Sequence, residues 1–278
     1  MADDKKELVT TQGASEQMPA FMRGRGSQGS DNFDATDVVI PRIKLLQGIS
    51  PEVEAYDHAK SGEFWFTGLD ESVGPNFRFV IADRRKKYLL SAPLEDGQGV
   101  LARADDAVTW DRTGKWSVKL KGVKQPVTWE IVDKDVQKSG LASWGTYNPD
   151  DEDSPPAATL FYDYLVFLPD HLEYGPAVIS LARSQIKPAK KGLNDKITLH
   201  KSQGRPLQGL IFEAVSVNET SDSGDFKNWS FRSGGFVQDE ALFNMAMEHA
   251  GSLATVKIGD EASTDEKPVV HDDGEGKF

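Results

Sequence analysis

Cysteine is absent from this 278-residue chain, which excludes disulfides, thiolate metal centres and cysteine nucleophiles. That composition suits a reducing compartment. Long apolar runs are also missing: none approaches the roughly 20 residues needed to span a bilayer. The opening MADDKKELVTTQGASEQ lacks the apolar stretch of a signal peptide. Together these lead us to expect a cytoplasmic protein with no membrane association.

Catalytic motifs are equally scarce. The sequence contains no HExxH, no Walker phosphate loop, no nucleophile elbow and no dinucleotide glycine fingerprint. Ser143, within Gly140–Gly145, misses the elbow spacing by one residue. His58, His171, His200, His249 and His271 are not paired at an interval that places two imidazoles on one face of a helix or strand. The adjacent acids Asp150 to Asp153 lie between prolines, where consecutive side chains diverge; they read as a solvated loop rather than a metal site. No enzymatic activity, cofactor or metal is expected.

Charge is present but segregated. The net charge of −12 argues at first against a polyanionic partner. Yet residues 259–278 hold seven acids against two lysines, whereas Arg183 to Arg205 holds seven bases against Asp195 alone. Arg112 to Lys124 contains five bases and no acid.

Three regions follow from composition. Residues 1–35 are polar and include Arg23-Gly24-Arg25-Gly26; they gain too little burial to offset ordering and read as a flexible arm. Residues 36–256 carry the folded domain, and 257–278 form a flexible acidic tail ending in Phe278. Within the domain, short segments rich in aromatic and β-branched residues, bounded by Gly, Pro, Asp or Asn, predict strands. They include Glu63–Thr67, Phe77–Ala82, Lys86–Ser91, Trp116–Lys121, Val127–Val132, Leu160–Leu168, Ala177–Ala182, Gly209–Val217 and Phe226–Arg232. Two helices are predicted, Ser184 to about Ser202 and Gln238 to His249, the second stopped by Gly251. The expected fold is mainly β with one or two helices, an oligonucleotide-binding-like small barrel with disordered termini. A jelly roll or open sandwich would give much the same pattern.

Basic and aromatic residues share several strands. Arg84-Arg85-Lys86-Lys87-Tyr88 is one group; Trp110, Lys115, Lys119 and Lys121 form a second; Arg183, Lys187, Lys190 and Lys191 a third. Single-stranded nucleic acid needs cations for its phosphates and flat side chains for its bases. Strand alternation puts Lys115, Lys119 and Lys121 on one face and Trp116, Val118 and Leu120 on the other. Trp116 then faces the core, and Tyr88 and Trp110 become the candidate stacking residues.

Three stretches resemble tailed-phage single-stranded DNA-binding proteins: Asp37-Val38-Val39-Ile40-Pro41-Arg42-Ile43-Lys44-Leu45-Leu46-Gln47-Gly48-Ile49-Ser50-Pro51-Glu52-Val53, the strand Ala177–Ala182 running into the basic helix, and the acidic tail closed by Phe278. The resemblance implies a non-catalytic protein of phage DNA replication or recombination that coats single-stranded DNA without sequence preference. Its tail, through Asp272, Asp273 and Phe278, would compete with DNA for the basic surface and contact replication or recombination proteins. Lys277 before Phe278, and the glycines among the acids, depart from the usual tail. The alternatives are a phage structural or assembly protein making only protein contacts, and a DNA mimic directed at a host enzyme.

Overall fold

A computed structural model describes residues 40–221 and 224–254, all within one unit spanning Ala35–Phe278. In chain order the elements are β1 (Ile43–Leu45), α1 (Pro51–Ala55), β2 (Phe64–Phe66), β3 (Glu71–Gly74), β4 (Asn76–Ser91), β5 (Val100–Ala104), β6 (Gly114–Val118) and β7 (Val127–Ile131). There follow α2 (Val136–Ser139), β8 (Ala158–Phe167), β9 (Ala177–Ala182), α3 (Ile186–Ala189), α4 (Asp195–Ser202), β10 (Leu210–Ser221), β11 (Gly224–Phe236) and α5 (Glu240–Glu248).

The protein is mostly β with few helices. Its main sheet is antiparallel in the order β11-β10-β4-β8-β9, with β5 added to the far end of β4. β11 and β9 do not pair among the described residues, so this sheet is open and the expected barrel closure is not seen. Two small sheets, β1-β2-β3 and β6-β7, accompany it.

The 16-residue β4 organises the molecule. Its polar middle reads in sequence as a break between two strands. It is instead a bulge: the register with β8 shifts between Ile81 and Asp83. One extra residue reverses the alternation of faces. Arg84, Lys86 and Tyr88 therefore share a face with Phe77, Phe79 and Ile81, while Arg85, Lys87 and Leu89 take the opposite one.

Two cores build on the first face. Phe79, Phe212, Phe231 and Trp229 pack with Ala189, Leu193 and Ile197 of the helical segment. Beyond Arg84 and Lys86, Tyr88 and Leu90 join Trp110, Val118, Trp129 and Ile131 in a separate core, formed largely by an insert over residues 92–157. On the opposite face, Val80, Leu165, Phe167 and Val178 pack against Leu242 and Ala246 of α5. An Asp239 cap starts α5, its carboxylate accepting from the backbone N–H groups of Ala241 and Leu242.

The predicted basic helix is present but interrupted. A single 3-10 turn at Arg183–Gln185 leads into α3, and a π-helical turn over Lys190–Asn194 separates α3 from α4. Gly192 lets this turn press onto β11, since a Cβ there would lie 2.6 Å from the Phe231 Cβ. Such one-residue expansions change which side chains point at a neighbouring surface, and they recur at functional sites.

Candidate functional site

The step between the two cores on the first face is polar. Arg84 and Lys86 project from β4, Tyr162 and Tyr164 from the paired positions of β8, and Asn194 from the end of the π-helical turn. Together with Arg85 they line an open depression of about 180 Å³.

Hydrogen bonding fixes its polarity. Arg84 Nη1 donates to Asn194 Oδ1 at 3.2 Å, and the Tyr164 hydroxyl donates to the same oxygen at 3.1 Å. Burial pushes the Tyr164 phenol well above its ordinary value, outweighing the nearby Arg84 charge, so this hydroxyl keeps its proton. A guanidinium only donates, which settles the amide orientation and leaves the Asn194 Nδ2 group as a pair of donors. Lys86 Nζ lies 5.3 Å from the centre of the Tyr88 ring. Among the described residues no carboxylate lines the depression. Tyr162 is half-buried beside it, and its hydroxyl, like that of Tyr164, can accept as well as donate. An oxyanion with several acceptor atoms is the ligand class such a donor surface suits.

Availability of charge is the second property. Among the described residues, Arg84, Lys86, Lys187, Lys190 and Lys191 have no carboxylate within 4.0 Å, and all five are exposed. Arg183 is exposed as well and adopts a left-handed backbone (φ 51°), a conformation uncommon outside glycine. Its charge opposes the rise that burial imposes on the Tyr147 phenol, which places it near the insert.

Several sequence expectations need correction. Trp110 is fully buried, with Nε1 donating to Ser139 Oγ at 3.1 Å, and Tyr88 is 7% exposed within the insert core. Neither offers a face to a base. Lys87 is fully buried: its Nζ lies 2.9 Å from Asp163 Oδ2. Arg85 turns the same way, donating to Asp163 at 3.1 Å and to the Leu253 carbonyl at 2.8 Å. Ser180 Oγ donates to the second Asp163 oxygen at 2.6 Å and accepts from Arg42 at 3.3 Å. Two of the four cations in the Arg84–Lys87 run thus belong to a buried network.

Lys115, Lys119 and Lys121 are exposed on alternate positions as the pattern required, and Val118 and Leu120 face inward. They belong to the insert, where Lys115 meets Glu130 across the β6–β7 hairpin at 3.5 Å. The structure does not bring them into the depression. Asp272, Asp273 and Phe278, with the arm and the tail, lie outside the described residues. Tyr162 and Asn194 were missed, because only the bulge and the π-helical turn aim them at Arg84.

Comparison with known families supplies the context. Residues 10–258 match a family model described as Pam3 phage gp34-like protein. The chain belongs to that family. It is therefore a phage protein, as its resemblance implied at the coarser level. No curated protein and no solved structure matches. No three His, Asp or Glu side chains converge as a metal site would require among the described residues. No described helix is long and apolar enough to cross a membrane.

Proposed function

We propose that this member of the gp34-like family is a non-catalytic, sequence-independent binder of single-stranded nucleic acid, DNA in the setting of phage replication or recombination. The observation that carries the reading is the donor-rich depression of Arg84, Lys86 and Asn194, beside a helix whose lysines have no carboxylate within 4.0 Å among the described residues. Its volume falls below the roughly 300–1,000 Å³ filled by a drug-sized ligand, so it suits a phosphate and its sugar better than an enclosed base. Lys187, Lys190 and Lys191 extend the same positive surface along the helix. Contacts of this kind bind any sequence, because phosphates carry no base identity. The alternative of a purely structural phage protein leaves the donor-rich depression without a ligand.

The test is a fluorescence titration of the full-length protein with oligo-dT at several salt concentrations. Four phosphate contacts give a slope of log affinity against log salt of about −3, from roughly −0.7 per contact. Undetectable binding at low salt, or binding that salt leaves unchanged, overturns the reading. In that case finding the protein in purified particles by mass spectrometry supports the structural alternative.

A further inference from the structure

Phosphate contacts alone leave the bases of a bound strand unsupported, and the two aromatic residues expected to stack are in the core. Phe236 has the opposite placement. At the end of β11, where it pairs with Leu210, it is 47% exposed. The Arg205 guanidinium lies over its ring, 5.2 Å from the centre, and the His200 ring stands nearly perpendicular to it with ring centres 5.8 Å apart. Gly204, in the left-handed region (φ 72°), turns the chain after α4 so that Arg205 N donates back to the His200 carbonyl at 3.0 Å. Arg205 Nη1 also lies 3.3 Å from His200 Nδ1, which fixes the guanidinium over the ring. No carboxylate lies within 4.0 Å of Arg205 or Lys201 among the described residues.

We infer that Phe236, with Arg205 and His200, is a stacking platform for a nucleobase of the same strand whose phosphate occupies the Arg84–Asn194 depression. The inference rests on the nucleic-acid reading above and adds the base-contacting residues it lacked. An exposed ring with a guanidinium on it presents flat π surface and positive charge together, the pair of properties a base and its phosphate require. α4 links the two places. It starts directly after Asn194, and at 1.5 Å per residue its eight residues carry a strand about 12 Å toward Gly204. Lys201, two helical turns beyond Asn194, returns to the same side of α4 and supplies a cation between them.

The experiment compares oligo-dT of about 16 nucleotides with an abasic deoxyribose-phosphate strand of equal length, using the full chain. Phe236→Ala should weaken oligo-dT binding by about five- to a hundredfold and leave the abasic strand unchanged. Phe236→Tyr, which keeps the ring, should restore oligo-dT affinity. Equal weakening of both strands by Phe236→Ala, or wild-type affinity for oligo-dT, overturns the platform. If Arg84→Ala/Lys86→Ala still weakens both strands in that case, the phosphate depression stands and the platform alone falls. Absence of wild-type binding to either strand removes both.

Discussion

The insert and the main sheet both present basic side chains, and they treat them differently. Residues 92–157 hold eight bases and twelve acids, with the two signs interleaved on neighbouring strands. Lys115 sits opposite Glu130 in the hairpin register, Arg112 lies 3.0 Å from Asp111, and Lys138 lies 3.4 Å from Asp133. In the bulged half of β4, the exposed Arg84 and Lys86 meet the Asn194 amide and the Tyr88 ring instead. Such surface ion pairs add about 0–1 kcal/mol to stability, but they neutralise the local field. A cation cluster in a sequence therefore measures charge density along the chain, while availability is set by what pairing and packing place across from it.

A sharper contrast lies across the thickness of β4 itself. Arg84 and Lys86 are open to solvent, whereas Arg85 and Lys87 converge on Asp163, which is fully buried. Removing a buried carboxylate leaves its cations in a low-dielectric interior without that compensation, which costs about 3–5 kcal/mol. Asp163→Ala should lose that much in urea denaturation, the largest effect expected here. Arg84→Ala should change stability by less than about 0.5 kcal/mol. A loss below about 1 kcal/mol for Asp163→Ala would mean that the network contributes little to holding β4, β8 and β9 together.

The same comparison applies to binding. Arg84→Ala/Lys86→Ala should reduce the salt slope for oligo-dT by about 1.4, at roughly 0.7 per lost phosphate contact. Lys115→Ala/Lys119→Ala should leave it nearly unchanged, since Lys115 already faces Glu130 and Lys119 lies outside the depression. Equal losses from the two pairs would break the distinction between available and neutralised charge, and would extend the interface onto the insert.

Much of the β architecture was legible because it depends on local pattern. Val127–Ile131 alternates buried and exposed residues as a half-buried strand must, and Leu160 to Phe167 is a central strand as its aromatic content required. What was not legible depended on single-residue insertions. The bulge after Ile81 joins two predicted strands into β4 and decides which cations face out. The π-helical turn at Lys190–Asn194 decides where Asn194 points. Periodicity assumes constant phase, so a one-residue phase change inverts every assignment beyond it. Trp110 and Tyr88 failed for another reason. Each is amphipathic enough for either environment, and only the insert, with Ser139 placed to accept from Trp110, selects the core.

The smallest expected difference between the two regions is their response to acid. Asp106, Asp111 and Asp133, all in the insert, are held below the ordinary carboxylate range. For Asp106 the cause is the Thr109 and Val108 backbone N–H groups, at 2.7 and 2.9 Å. Burial works against Asp111, but the Arg103 backbone N–H and Arg112 outweigh it; for Asp133 the Asp135 backbone N–H leads. A carboxyl whose folded pKa lies below its unfolded value contributes stability above the unfolded pKa, near 3.9, and loses it as pH falls through the folded one. Outside the insert, Asp170 is also held low, by its hydrogen bond from Arg78. With three such groups against that one, the insert should loosen first as pH drops below about 4, seen as hydrogen exchange, corrected for intrinsic rates, rising in β5–β7 before β8 and β9. Asp106→Asn keeps an acceptor for both N–H groups but cannot titrate. It should cost less than about 1 kcal/mol at neutral pH and flatten part of the acid dependence. An unaltered acid profile in Asp106→Asn would assign the effect to Asp111 and Asp133, and simultaneous loosening of both regions would show that the insert has no acid lability of its own.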